Sequence, residues 1–242
     1  IIASVPSYSS VANYFDMPEV TAILRQLITV SSLPLKAVES QFAVDSTGFG
    51  TSRFVRWFNK KYGKETDVRE WIKLHITCGT QTHVITAIEV SGWNAADTNY
   101  FKPLIESTAK HFQIAEVSAD KAYLTHSNFD TVSNIGATAY IPFKSNSAMP
   151  RGESRWAKAY YYYMLNRDSY LEHYHRRSNV ESTFSMIKAK FGDSIRSECD
   201  TAQINEVLCK VLCHNICVVI QSMHELGIQP SFSTGDQIRS VS

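Results

Sequence analysis

The stretch YHRRSNVESTFSMIK, residues 174–188, sets one carboxylate among cations and aromatics at helical spacing. An α-helix turns about 100° per residue, so counted from Tyr174, Arg177 falls near 300°, Lys188 near 320° and Glu181 near 340°. The four polar tips then share a stripe about 60° wide. Val180, Phe184, Ile187 and Phe191 take the adjoining stripe, from about 220° to 280°. A helix over 174–188 therefore buries its apolar stripe and presents Tyr, Arg, Glu and Lys together at its edge. Arg and Lys donate to phosphate oxygens, and a Tyr hydroxyl also bonds them. The chemistry this suits is phosphate binding beside a carboxylate. The plainer reading is a half-exposed helix with a Glu set between two cations.

Two further carboxylates each follow an apolar run. Asp45 lies in AVDSTGF and Asp120 ends VSADKAY's first half. Either one alone also reads as a turn former or a helix cap. If their two strands are neighbours, the carboxylates converge, and Glu181 is supplied by the later helix. Three carboxylates make a hard oxygen site of the kind Mg²⁺ favours. Two such ions about 3.5–4 Å apart activate an attacking oxygen and stabilise a leaving oxygen in phosphoryl transfer.

The elements that must hold these residues follow from periodicity. QFAVDSTGFG (41–50) reads as a strand ending in a Gly-rich turn. WIKLHITCG (71–79) alternates apolar and polar residues, and THVITAIEVSG (82–92) is rich in β-branched ones. These three predict an antiparallel meander. Asp97 is a candidate N-cap for a helix over TNYFKPLIESTAKHF. A short strand, IAEVSAD (114–120), a helix over about 126–135 and a strand, ATAYIPF (137–143), come next. The last long helix spans about 201–226, capped by Asp200 or Thr201, with Gln203 completing a capping box. Strand–helix–strand order implies parallel pairing, so the expected fold is α/β, a mixed sheet of a three-strand meander plus parallel strands, flanked by helices. The first 40 residues read as helical, with MPEVTAILRQLI as a packing helix that Pro34 ends.

With 242 residues the chain is long enough for a substantial core. A formal net charge of +1 gives no global nucleic-acid signal, so any such surface must be local. Five cysteines without a paired spacing argue for a reducing compartment. Cys209, Cys213 and Cys217 share one helical face and read as small core residues rather than metal ligands. VLCKVLCHNICVVI, from Val207, is interrupted by Lys210, His214 and Asn215 and is short for a bilayer span, so it reads as a buried helix. No signal peptide is visible, and the opening IIASVPSYSS suggests a fragment with residues missing upstream. RFVRWFNKKYGK (53–64) interleaves cations with aromatics and reads either as a DNA-contacting loop, through Arg53, Arg56, Lys60 and Lys61, or as a solvated one. The basic stretch 144–177, with four tyrosines at 160–163, is a candidate wall of a DNA channel. His173 and His175 read as DNA contacts or packing residues rather than zinc ligands.

Together these residues resemble the catalytic domain of DDE transposases from bacterial and archaeal insertion sequences. Tyr174, Arg177, Glu181 and Lys188 match the signature Y-(2)-R-(3)-E-(6)-K of one branch at every spacing. AVDSTGF is similar to that family's first-Asp strand and SADKAY to its second, with Ala122 where the family often has Gly. The resemblance spans about residues 41–220. It implies a ribonuclease H-like fold in which Asp45, Asp120 and Glu181 are the catalytic, metal-binding triad, holding two Mg²⁺ ions, with Mn²⁺ as a substitute. It implies that Tyr174, Arg177 and Lys188 hold phosphates of the element's ends. It implies metal-dependent strand cleavage followed by strand transfer into target DNA, by a homodimer on DNA, in the cytoplasm and nucleoid of a prokaryote with no membrane partner. The implied division is a helical segment over 1–40 left from a truncated upstream region, a catalytic domain over 41–226 and a tail over 227–242. Only 60 residues separate Asp120 from Glu181, which leaves no room for the large β-rich insertion of some relatives. The rival readings are a ribonuclease H-like nuclease that cuts without joining, and an inactive remnant that only binds DNA.

Overall fold

The computed structural model describes residue 5 and residues 7–51 and 71–232. Five strands form one sheet in the order β3-β2-β1-β4-β5. They are β1 (Gln41–Gly50), β2 (Trp71–Gly79), β3 (Ile85–Gly92), β4 (Glu116–Ala119) and β5 (Thr138–Tyr140). β1–β2 and β2–β3 are antiparallel, while β1–β4 and β4–β5 are parallel. The expected meander is present, and the condition for Asp45 and Asp120 to converge, that the first and fourth strands be neighbours, is met.

Eight α-helices pack around this sheet among the described residues: α1 (Tyr8–Phe15), α2 (Pro18–Ser32), α3 (Thr98–Ala109), α4 (His126–Asn134), α5 (Arg155–Leu165), α6 (Arg167–His175), α7 (Ser178–Phe191) and α8 (Asp200–Leu226). Side chains alternate across a strand, and β1 feeds two cores accordingly. Phe42 and Val44 join Phe101, Leu104, Val117, Phe129 and Tyr170 on the face of α3, α4 and α6. Ala43 and Phe49 join Ile28, Ile76, Val180, Phe184, Ile187 and Val211 on the face of α2, α7 and α8. Asp45 shares the second parity, so it points toward the α7 side.

The expected single helix over 174–188 is two helices. Arg176 N–H donates to His173 O (3.3 Å) and Arg177 N–H to Tyr174 O (3.0 Å), the tighter three-residue spacing of a turn. The turn aims two adjacent guanidinium groups at different places along the β1/β4 pair. Arg176 bonds Gln41 Oε1 (2.7 Å) and Glu116 Oε2 (3.0 Å), which face each other in the register. Arg177 reaches Asp45 instead. Tyr174 therefore lies at the end of α6, and only Arg177, Glu181 and Lys188 follow the continuous helical spacing. The apolar stripe is as expected, with Val180, Phe184 and Ile187 buried.

Three local expectations also differ. Asp97 occupies the N-cap position of α3 but makes no capping bond there, because its carboxylate is engaged across the sheet. α8 is capped by Cys199, whose Sγ accepts Ala202 N–H, and Gln203 donates to Glu198 O rather than closing a capping box. Cys209 and Cys217 are half-buried and Cys213 is exposed, because the core side of α8 is the other stripe, Val207, Leu208, Val211, Asn215 and Val218. By length and composition α8 is apolar enough to cross a membrane, yet half of that window is buried in this fold. Its polar interruptions are structural: Lys210 Nζ donates to Phe191 O (2.6 Å) and His214 Nε2 lies 2.9 Å from His83 O. Of the four tyrosines of α5 only Tyr163 is buried, tilted against Phe143 and edge-to-face with Tyr170 of α6, while Tyr160, Tyr161 and Tyr162 are half-buried.

Candidate active site

The parallel register decides the site. Val44 faces Ala119, and Asp45 and Asp120 are each the next residue on. They leave adjacent strands, about 4.8 Å apart, on the same face. Asp120 caps the 3₁₀ turn Lys121–Tyr123, its Oδ1 accepting Ala122 N–H at 2.7 Å. That turn requires no left-handed residue, as His83 is the only non-glycine with positive φ among the described residues, so Ala122 is accommodated where a Gly is common.

Glu181 arrives in the first turn of α7 over this face. Between it and Asp45 lies Arg177, donating through Nη1 to Asp45 Oδ2 (2.6 Å) and through Nη2 to Glu181 Oε1 (2.6 Å). Asp45 Oδ1 accepts its neighbour's N–H, from Ser46, at 2.8 Å. Burial pushes the Asp45 carboxyl above its ordinary range. The Ser46 N–H and Arg177 oppose that shift, while Asp120 and Glu181 add to it. The three carboxylates thus share one electrostatic neighbourhood, although they are not drawn onto a common point. Among the described residues no three His, Cys, Asp or Glu side chains stand close enough to hold a metal ion.

Lys188 Nζ donates to Thr47 Oγ1 (2.7 Å) and lies 5.5 Å from the Phe49 ring centre, and burial lowers its pKa. Tyr174 lies under the Arg177 guanidinium, 5.9 Å from ring centre to Cζ. The two Asp strands and the Tyr–Arg–Glu–Lys set are therefore brought to one end of the β1/β4 pair. Arg53, Arg56, Lys60 and Lys61 lie outside the described residues. His173 packs, stacked on Tyr140 at 4.4 Å with Nδ1 2.8 Å from Glu116 Oε2.

A second polar cluster lies behind Asp45, on the opposite face, and sequence reasoning did not find it. Asp97 Oδ1 accepts from Lys73 Nζ (2.6 Å) and Ser46 Oγ (2.9 Å). Tyr123 is buried beside it with its hydroxyl in no aligned hydrogen bond, and burial together with Asp97, Asp45 and Asp120 raises its pKa. Only the alternation of Ser46 with Asp45 hinted at this arrangement; nothing in the spacing pointed to Asp97.

His75, fully buried, stacks on Tyr100 at 4.1 Å and shares a 2.8 Å contact with Ser91 Oγ. Its Nδ1 is 3.3 Å from Asp97 Oδ1 but not aligned for a hydrogen bond. Burial drives its pKa down to about 4, with Asp97 opposing, so the ring is neutral at pH 7. The unfolded chain takes up the proton near 6.5 and the fold does not, so the stability His75 contributes is present above that value and is lost as pH falls toward 4. Urea unfolding should show about 2–3 kcal/mol less stability from this group at pH 4.5 than at pH 7. His75→Gln should lose correspondingly less over the same interval; equal losses would remove His75 from the acid response.

No solved structure matches the chain. The family described as the transposase DDE domain matches residues 36–216, from just before β1 to well inside α8. That span takes in the whole sheet, both Asp strands and the α6–α7 pair. The chain belongs to the transposase DDE domain family.

Proposed function

We propose that this protein is a transposase that cuts DNA at the ends of an insertion sequence and joins those ends to target DNA, with Asp45, Asp120 and Glu181 as its metal ligands and catalytic residues in a ribonuclease H-like arrangement. The observation that carries the reading is the register: Asp45 within β1 and Asp120 just past β4 are each the next residue after the last parallel pair, with Glu181 brought over them by α7. Three carboxylates of separate elements suit a hard divalent cation such as Mg²⁺, with Mn²⁺ as a substitute. When bound, such ions supply Lewis-acid activation of the attacking oxygen and charge neutralisation at the leaving one.

The chain's own residues supply the rest. Arg177, Lys188 and Tyr174 edge the carboxylates with two cations and a phenol, which hold and orient DNA phosphates at that end of the sheet. Burial of Asp45 from bulk water lowers the local dielectric and strengthens each of these contacts. The partners are the element's ends and target DNA, engaged by a homodimer on DNA. We assign 1–40 to a helical N-terminal segment, whose α1 and α2 pack against α8, 41–226 to the catalytic domain and 227–242 to its tail.

The test is a strand-transfer assay. Full-length chain, Mg²⁺ or Mn²⁺, labelled element-end duplex and a target plasmid should yield joined product. Cleaved ends without any joined product would favour a nuclease. Binding with neither cleavage nor joining would favour a DNA-binding remnant.

A further inference from the structure

We propose that Arg177 is an internal cation that locks the metal site, and that a DNA phosphate unlocks it, so that divalent metal and DNA bind cooperatively. The inference rests on the carboxylate site proposed above and concerns its regulation. One guanidinium uses two different nitrogens to bond two carboxylates from two elements, both at 2.6 Å. The oxygens it engages, Asp45 Oδ2 and Glu181 Oε1, are ones a metal ion would need. The Arg177 and Asp45 side chains are 19% and 17% exposed, so this pair is largely shielded from solvent. Among the described residues the neighbouring cations are engaged elsewhere: Lys188 is turned to Thr47, and Arg176 to Gln41 and Glu116.

The wedge also gives a physical reason why the carboxylates are not gathered on one point. Arg177 holds Glu181 at the length of a guanidinium from Asp45, whereas a shared ion would draw both onto itself. Release needs little movement of the backbone. Arg177 stands at the N-cap of α7, just after the turn that ends α6, and carries a long side chain. A phosphate is the competitor with the right chemistry, because it takes the same planar fork of donors. A phosphate that draws Arg177 away frees two carboxylates, and the freed carboxylates favour the metal. Such coupling is reciprocal: metal bound at the carboxylates leaves Arg177 available to phosphate.

The experiment titrates the full chain with Mn²⁺, following the free ion by electron paramagnetic resonance, with and without a short mixed-sequence duplex. Asp45→Asn with the same duplex subtracts ions held by the DNA. The wild type should bind Mn²⁺ about tenfold more tightly with the duplex than without it. Arg177→Gln keeps the length of the stem and removes the fork. It should bind Mn²⁺ about tenfold more tightly than the wild type without DNA and gain little from the duplex. Arg177→Lys, which keeps the charge but cannot span both carboxylates, should shift in the same direction and covers the case of a Gln variant that does not fold. Equal Mn²⁺ affinity in wild type and both variants, abolished by Asp45→Asn, overturns the lock and leaves the carboxylate site standing. Uptake that Asp45→Asn does not diminish in any background overturns both.

Discussion

If Glu181 is the metal ligand proposed above, Glu181→Gln should lower metal-dependent strand cleavage at least about a hundredfold while leaving DNA binding within a few-fold of wild type. The floor comes from outer partners of metal ligands, whose loss alone costs about 10–100-fold in affinity or activity. A direct ligand costs more. The same substitution is gentle on the fold, because the Glu181 side chain is 59% exposed and its bonded partner is Arg177. An exposed pair of that kind contributes little to stability. Removing one negative charge beside the phosphate path also slightly favours DNA binding. Cleavage of labelled duplex and fluorescence anisotropy of the same duplex separate the two effects. A glutamine variant that cuts at the wild-type rate would strike Glu181 from the site.

Asn215→Ala costs about 4 kcal/mol of stability, the largest effect expected from removing one polar side chain in this fold. Asn215 is fully buried on α8 and joins three elements. Its Oδ1 accepts Ile85 N–H (2.9 Å), and its Nδ2 donates to Ile85 O (2.8 Å), Ser31 Oγ (3.1 Å) and Ile28 O (3.3 Å). The β2–β3 ladder slips between Thr77 and Cys78, and Ile85, beside the slip, turns its N–H to this amide. Truncation removes the partner of the buried Ile85 N–H and one of Ile85 O, while Ser31 Oγ and Ile28 O keep their bond to each other. For a chain of this size the midpoint of thermal unfolding should fall by about 10 °C. Asn215→Leu, of similar volume, should be nearly as harmful, since it fills the space without pairing Ile85. Recovery in the Leu variant would mean that packing, rather than hydrogen bonding, governs the position.

Much of the fold was legible because its elements obey simple periods. The sequence of β2 alternates apolar and polar residues, although from Leu74 onward both of its faces are buried, and α2 and α8 show their core stripes at helical spacing. Strand–helix–strand order announced the parallel pairing of β4 with β5, but not that β4 joins the sheet beside β1, on which the neighbouring aspartates depend. What escaped was set by contacts between distant segments. Cys209, Cys213 and Cys217 form a stripe as regular as the true core stripe, and only the packing of α2 and the sheet chooses between them. Asp97 looked like a cap because local chemistry favours one; Lys73 and Ser46 offered its carboxylate better partners across the sheet. The joint between α6 and α7 has no proline or glycine to announce it. Arg176 and Arg177 are drawn to opposite ends of one strand pair, and a straight helix cannot serve both.

That joint divides the four-residue signature into two geometrically independent parts. Within α7 the spacings from Arg177 to Glu181 and Lys188 are rotational, so one inserted codon would swing every later side chain by about 100°. The step from Tyr174 to Arg177 is set by a turn, where an added residue changes the path of the chain without rotating the helix beyond it. Reading-frame-preserving insertions should therefore be lethal to function between codons 178 and 188 yet partly tolerated at codon 176.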